Sequence, residues 1–201
     1  MKNPAHTAYP VNELISKRWS PRAWSEKPVS PEILRSLFEA ARWAPSSSNE
    51  QPWAFVVGTK EDSETFGKIL GTLVEFNQNW AKHARVLVLA VSEMAFARNK
   101  NPNRNAFYDT GAAVSQLTTE ATSRGLFVHQ MAGFDPHKAI EAFQIPNGWE
   151  PIAVFAVGYP GEPQSLPQPL RDREVAPRER KPIAEFVMSG QWGHSAEFVK
   201  K

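Results

Sequence analysis

Two pairs of arginines near opposite ends of the sequence have side chains suited to binding anionic oxygens. Arg18 and Arg22 flank Ser20, and Arg178 and Arg180 lie about 160 positions further along the chain. A guanidinium group presents planar, forked N–H donors that match phosphate oxygens or the edge of a carbonyl-bearing ring. Each pair is equally compatible with a solvated basic turn. The case for a binding site therefore depends on the other polar segments of the chain.

Three further segments combine hydrogen-bonding groups with aromatic or small residues. Residues 44–53 (APSSSNEQPW) align hydroxyl and amide groups beside a tryptophan, and residues 76–80 (FNQNW) place amides between aromatic rings. In residues 129–135 (HQMAGFD), Ala132 and Gly133 leave their backbone N–H groups open to a ligand. With the arginines, these segments supply what flavin mononucleotide (FMN) needs: cations for the phosphate, and donors for the ribityl chain and the ring.

Composition excludes several other classes of protein. The 201 residues contain no cysteine, which excludes a disulfide scaffold, a thiolate nucleophile and a cysteine-ligated metal or iron–sulfur site. The five histidines lack metal-site spacing, so no metal is expected. The motifs GxGxxG, GxxxxGK[ST] and GxSxG are absent, which argues against a Rossmann site, a phosphate loop and a serine hydrolase.

Charge and hydropathy argue against nucleic acid and membranes as partners. The net charge is +2, and the longest apolar run, Val86–Val91, is far shorter than the ~20 residues of a membrane span. The first residues lack the apolar stretch of a signal peptide, and we expect a cytoplasmic protein. The length predicts a single domain over residues 1–201.

The elements that must position these residues alternate between helix and strand. Ser30-Pro31 and Asp135-Pro136 are typical helix starts. Strands are predicted at 53–58 (buried), 85–92, 126–131 and 151–158. Helices are predicted at 11–17, from 31 to before Pro45, along one long stretch from 66 to 74, at 106–124 and at 136–143. Residues 93–105 are predicted to be a loop, and the proline-rich residues 159–182 an extended segment without helix. This pattern predicts an α/β or α+β sandwich.

The sequence resembles the FMN-dependent nitroreductase family. Residues 18–57 match the family's opening turn, helix and Pro-Ser-Ser-x-Asn-x-Gln-Pro-Trp loop. The likeness continues over about residues 11–187 through FNQNW, Asp109-Thr110-Gly111, GLFVHQMAGFD, PIAVFAVGYPG and PRERKP. The resemblance implies an α+β, three-layer sandwich with a mostly antiparallel sheet between helices. It also implies an intertwined homodimer with two FMN sites at its interface, in which residues 159–201 wrap the partner subunit.

The resemblance also assigns cofactor contacts. The matching residues are Arg18, Trp19, Ser20, Arg22, Pro45, Ser46, Ser47, Asn49, Asn77, Gln130, Met131, Ala132, Gly133, Arg178 and Arg180. Arg18, Arg178 and Arg180 would bind the phosphate, and Arg22 would face the flavin N1–O2 edge. Residues 45–49 would reach the flavin from the partner subunit.

The remaining assignments concern the flavin ring and the substrate pocket. Asn77 would meet the ribityl or pyrimidine region, and residues 130–133 would lie along the ring with the Ala132 N–H near N5. Trp19 stands where the family often has a polar residue, so only its backbone is expected to contact the cofactor. Residues 93–106, which in the family help to shape the substrate pocket, are short here.

The function implied is passage of a hydride from NADH or NADPH, through flavin N5, to a small electrophile such as a nitroaromatic or quinone, with ping-pong kinetics. The flavin would carry the chemistry, so no side chain is assigned as catalytic. Two alternatives stay open at this point. One is a flavin-dependent dehydrogenase or dehalogenase for one metabolite, and the other is a low-turnover flavin-binding protein.

Overall fold

A four-stranded sheet lies at the centre of the computed structural model, which describes residues 4–200. The strands are β1 (Trp53–Thr59), β2 (Val86–Glu93), β3 (Phe127–Met131) and β4 (Trp149–Gly158). Their order is β1-β2-β4-β3, and every neighbouring pair is antiparallel. Met1–Asn3 and Lys201, which the expected domain and N-terminal segment include, lie outside the described residues.

Helices cover both faces of the sheet. They are α1 (Glu13–Lys17), α2 (Pro31–Arg42), α3 (Ser63–Thr72), α4 (Glu75–Ala81), α5 (Ala106–Ser123), α6 (Pro136–Phe143) and α7 (Gln168–Val175). The predicted caps of α2 and α6 are confirmed: Ser30 accepts a hydrogen bond from the Ile33 N–H, and Asp135 accepts from the N–H of His137 and Lys138. Across residues 4–200, no helix combines the length and the apolar character that a membrane crossing requires.

Successive side chains of β2 point alternately into two hydrophobic cores, one on each face of the sheet. Leu87, Leu89 and Val91 face the core that α3, α4, α6 and α7 help to form. Val86, Val88 and Ala90 face the core beneath α2 and α5. Because successive strand residues point to opposite faces, one strand supports both helical layers. The α+β, three-layer arrangement is therefore confirmed.

The prediction that β1 is buried was wrong. All of its residues except Gly58 are only half-buried. The physical reason is position, since β1 is an edge strand with β2 as its only neighbour in the sheet.

The single long helix predicted across residues 66–74 was also wrong. Helix α3 ends at Thr72 and α4 begins at Glu75, with extended backbone at Leu73 and Val74. A tertiary contact causes the break, because the Val74 N–H donates to the carbonyl of Gly133 at 3.0 Å.

The proline-rich segment was predicted to contain no helix, yet α7 lies within it. Pro167 is the N-cap of α7 and Pro169 is in its first turn. The first N–H groups of a helix have no intrahelical acceptor, so proline costs no hydrogen bond there. Leu170 and Glu174, four positions apart on one face of α7, are buried.

Candidate cofactor site

The three arginines predicted to bind phosphate line one cavity of about 1280 Å³. Arg18 is the C-cap of α1, and Arg178 and Arg180 follow α7. An Arg178 Nη donates to the carbonyl of Ser16 at 3.2 Å, which fixes the C-terminal segment against α1. The fold thus brings together residues that are 160 positions apart in the sequence.

The charges in this cavity repel one another. Burial lowers the pKa of Arg18, and the positive charge of Arg180 lowers it further. Burial likewise lowers the pKa of Arg178, with Arg18 and Arg180 adding to the effect. Within residues 4–200, no ion pair joins Arg18 or Arg180 to a carboxylate. Arginine stays protonated in proteins, so such a cluster favours a bound anion.

The walls beside the arginines are mainly apolar. They include Val11 and Ile15 near α1, and Ile183 and Phe186 in the C-terminal segment. Apolar walls with a few convergent polar groups are typical of small-molecule sites. The volume exceeds the range of about 300–1,000 Å³ usual for one small ligand, so the cavity has room for further atoms beside a ligand.

Arg22 lies apart from this cavity. Its backbone N–H and that of Ala23 donate to the buried carboxylate of Glu174 on α7, at 3.0 Å. Its guanidinium carbon is 5.9 Å from the ring centroid of Trp80. The buried Arg22 Nε has no acceptor in the described part of the chain. Burial lowers the pKa of Arg22, Glu174 opposes that shift, and Arg173 adds to it.

His129 completes the surroundings of Arg22. Its Nδ1 lies 2.9 Å from the carbonyl of Pro21, and its ring centroid is 4.4 Å from that of Trp80. Burial lowers the pKa of His129 to about 4, and the nearby charge of Arg22 contributes to the shift. The imidazole is therefore neutral at pH 7, with its Nδ1–H donating to Pro21.

Sequence reasoning gave no role to Glu174 or His129. Glu174 stands in a run of charged residues, which is normally solvated. The available signal was its spacing from Leu170, since residues four apart share one face of a helix.

Asn77 and Gly133, both predicted at the flavin, are in direct contact. The Asn77 side-chain amide donates to the carbonyl of Gly133 at 3.0 Å. A Cβ at position 133 would lie only 2.7 Å from that amide nitrogen, so the contact requires glycine.

Next to this contact, Ala132 is exposed. Neither Ala132 nor Gly133 donates a backbone hydrogen bond within residues 4–200, so both N–H groups are available to a ligand. Gln130 is exposed as well, whereas the side chain of Met131 is in the core.

The loop at 45–49 has a fixed and strained backbone. Ser48 and Asn49 have φ of 56° and 57°, a left-handed region that residues other than glycine rarely adopt. Two hydrogen bonds hold the loop: the Ser47 N–H donates to buried Asp109 on α5 at 2.9 Å, and Ser46 Oγ accepts from the N–H of Gln51 at 3.0 Å. Such strain is concentrated at functional sites.

The loop does not join the arginine cavity of its own chain. None of residues 45–49 lines that cavity, and Pro45 and Asn49 are exposed. In the opening turn, Ser20 is exposed, while the Trp19 side chain is buried against Phe127 with ring centroids 6.0 Å apart. A ligand at this turn can therefore reach only the backbone of Trp19.

Comparison with known proteins identifies a family and similar structures for this chain. Residues 15–159 match the model of the Nitroreductase family. A solved structure described as an oxidoreductase containing FMN is 36% identical, with a TM-score of 0.89 over 95% of this chain and 97% of that one. An uncharacterized 15.4 kDa protein of Mycolicibacterium smegmatis is 36% identical over 137 residues, 68% of this chain and 90% of its own length.

A relative from Rhodopseudomonas palustris (strain TIE-1) carries a more specific name. It is called "Putative NADH dehydrogenase/NAD(P)H nitroreductase" and is 24% identical over 175 residues, 78% of this chain and 87% of its own length.

Proposed function

This chain belongs to the nitroreductase family, and on that premise we propose that it is an FMN-dependent oxidoreductase that uses NADH or NADPH to reduce a small electrophile. The observation that carries the proposal is the convergence of Arg18, Arg178 and Arg180 on one cavity, as a phosphate would require. FMN in the 36% identical solved oxidoreductase supports the choice of cofactor.

The residues present fit FMN at both of its ends. Arg18, Arg178 and Arg180 would hold the phosphate through charge-assisted hydrogen bonds. The accessible N–H groups of Ala132 and Gly133, with Asn77 beside them, would meet the ring. When bound, FMN supplies the hydride transfer itself, and the protein supplies binding, orientation and electrostatics.

Arg22 would act through charge. Its Nε lacks an acceptor in the described residues. Its backbone is fixed by Glu174, whose carboxylate accepts a hydrogen bond from the Arg22 N–H. At the N1–O2 edge, its guanidinium would place a fixed positive charge where reduction develops negative charge. Preorganised charge of this kind lowers barriers.

We further propose that the active protein is a homodimer in which each loop 45–49 completes the site of the partner subunit. The loop is strained and partly exposed and contributes nothing to the arginine cavity of its own chain. Exposed large aromatic residues are consistent with an interface: Trp43, Tyr108, Phe186, Trp192 and Phe198. Residues 159–201 would wrap the partner subunit, within one domain that spans the chain.

The acceptor we propose is a nitroaromatic or a quinone. No nucleic acid or membrane takes part, and the protein works in the cytoplasm. A dehydrogenase or dehalogenase for a single metabolite would use the same cofactor site, as would a flavin carrier with little turnover.

Anaerobic stopped-flow spectroscopy of the purified protein tests the proposal. We expect the yellow protein to release FMN on denaturation, to bleach rapidly with NADH or NADPH, and to be reoxidised by several members of a nitro, quinone and enone panel. Steady-state kinetics should give parallel double-reciprocal lines, because one pocket serves reductant and acceptor in turn. Release of FAD, or an oxidised spectrum that persists at millimolar NAD(P)H, would contradict the proposal.

A further inference from the structure

A second cavity of about 320 Å³ shares none of its described lining residues with the arginine cavity. Basic residues from two connections line it: Lys60 between β1 and α3, and Lys82, His83 and Arg85 between α4 and β2. Arg22 and Trp24 also line the cavity.

We propose that this cavity binds a phosphate group, as inorganic phosphate or as the monoester of a small molecule. The proposal rests on Lys60, Lys82, His83, Arg85 and Trp24. None of the three arginines assigned to the FMN phosphate lines this cavity, and Arg22, which is assigned to the flavin edge, is not needed for the proposal.

Positive charge dominates the lining. Among the described residues that line the cavity, Glu26 is the only one with a carboxylate. Outside the lining, Arg85 pairs with the exposed carboxylate of Glu61 at 2.6 Å, and Glu174 faces the backbone of Arg22. Within the described chain, no ion pair joins Lys60 or Lys82 to a carboxylate.

The basic groups are held close together. The Lys60 ammonium donates to the carbonyl of Lys82 at 2.6 Å and lies 4.2 Å from the ring centroid of Phe66. Burial lowers the pKa of Lys60, and Arg85 lowers it further. Burial also lowers the pKa of His83, with contributions from Lys82 and Lys60. Both shifts have the direction that a bound anion would oppose.

Two residues that line the cavity and have no role at the flavin also carry a buried donor without an acceptor in residues 4–200. They are Trp24, through its indole N–H, and Arg85, through its Nε. A buried donor that has no acceptor destabilises the fold, so an ion or a water is expected as its partner. A phosphate offers several acceptor oxygens at once, so it can accept from both of these donors.

The size of the cavity narrows the ligand class. A volume of about 320 Å³ is at the lower end of the range for ligand sites, which is too small for a whole dinucleotide. It suits phosphate itself or a short phosphate monoester, with the Trp24 ring as an apolar wall.

Isothermal titration of the holoprotein in phosphate-free buffer tests the proposal, with inorganic phosphate and glycerol 3-phosphate as separate probes. We expect both to bind. Tighter binding of glycerol 3-phosphate would identify the ligand as a phosphate monoester, and tighter binding of inorganic phosphate would identify it as phosphate itself. Lys82→Gln removes one positive charge but keeps the carbonyl that Lys60 uses, and it should weaken binding about tenfold. Lys60→Gln should have a similar effect.

The matched control is Lys68→Gln, which removes an exposed lysine of α3 that pairs with Glu64 outside the cavity. It should leave the dissociation constants unchanged. In a ¹⁵N spectrum, phosphate should move one indole resonance, and that resonance should be missing in Trp24→Phe. The proposal is overturned if neither probe binds the wild type, if Lys68→Gln weakens binding as much as Lys82→Gln, or if Arg18→Ala abolishes binding while Lys82→Gln does not.

Discussion

The carboxylate of Glu174 accepts the backbone N–H of Arg22 with both of its oxygens, each at 3.0 Å, although 152 positions separate the two residues. One of those oxygens also accepts from the N–H of Ala23 at 3.0 Å. The carboxylate is buried, and its charge favours the charged form of the Arg22 guanidinium. Glu174, in the C-terminal segment, therefore fixes the backbone at the end of the turn that runs from Arg18 to Arg22.

The first prediction concerns this contact. Glu174→Gln keeps one acceptor oxygen but turns an NH₂ group toward backbone donors, and it removes the negative charge near Arg22. We expect the free energy of unfolding to fall by about 2–3 kcal/mol, measured by urea denaturation. Glu185→Gln, at an exposed position of the same C-terminal segment, is the control and should change it by no more than about 0.5 kcal/mol. Equal effects of the two substitutions would show that the buried contact does not stabilise the fold.

Local signals predicted most of the elements, because local physics sets them. Ser30-Pro31 and Asp135-Pro136 start helices where a side-chain acceptor and a proline satisfy the first turn. The failures at β1 and near Val74 have tertiary causes, whereas α7 was missed because proline is tolerated in the first turn of a helix. Nothing near Val74 predicts a helix break, which depends on a hydrogen bond to Gly133 across the fold.

In the candidate site, too, local sequence indicates some features and only the tertiary fold reveals others. The guanidinium groups of Arg18, Arg178 and Arg180 indicated that each could bind an anion, but only the fold shows that they line one cavity. Glu174 could not be identified from its local sequence, because its partners are backbone N–H groups far along the chain. The cavity of Lys60 and Arg85 was equally hidden, since connections that are separate in sequence supply its basic residues.

The second prediction concerns the phosphate of FMN. Arg18→Ala or Arg180→Ala should weaken FMN binding about tenfold or more, because each removes charge-assisted hydrogen bonds to the phosphate. Riboflavin, which lacks the phosphate, should bind the variants and the wild type equally. Fluorescence titration of the apoprotein measures both ligands. Arg124→Ala, outside the cavity at the end of α5, is the control. Unchanged FMN affinity in both cavity variants would refute the phosphate assignment.

The third prediction separates the role of Arg22 from that of Arg18. Arg22→Ala should lower the flavin midpoint potential and slow reduction by NAD(P)H, because a fixed cation no longer compensates the charge that develops. The slowing could approach ~10²-fold, as for loss of an oxyanion-hole donor. Arg22→Lys should restore part of the potential, and FMN affinity should change less than in Arg18→Ala. Spectroelectrochemical titration measures the potential, and an unchanged value in Arg22→Ala would remove the proposed role.

The fourth prediction tests whether loop 45–49 completes the site of the partner subunit. Arg18→Ala and Asn49→Ala should each weaken both sites of a homodimer. In a mixed dimer, one site carries both substitutions and the other carries neither, so about half of the wild-type FMN binding should return. Co-expression with two affinity tags isolates the mixed dimer, and released FMN is counted per dimer. If the mixed dimer binds no more FMN than its parents, or if the protein is a monomer, the shared site is excluded.

The last prediction concerns stability and pH. Burial holds the pKa of His129 at about 4 in the folded protein, against about 6.5 in the unfolded chain. Above pH 6.5 the imidazole is neutral in both states and has no effect on the pH dependence. As the pH falls from 6.5 to 4, the unfolded chain takes up the proton first. The free energy of unfolding should therefore fall by up to about 3 kcal/mol across that window and level off below it.

His129→Asn keeps a donor for the Pro21 carbonyl and removes the titration, so its stability curve should lose this slope even if its overall stability is lower. Urea denaturation at intervals across the window measures both curves, and parallel curves would show that His129 does not stay neutral in the folded protein.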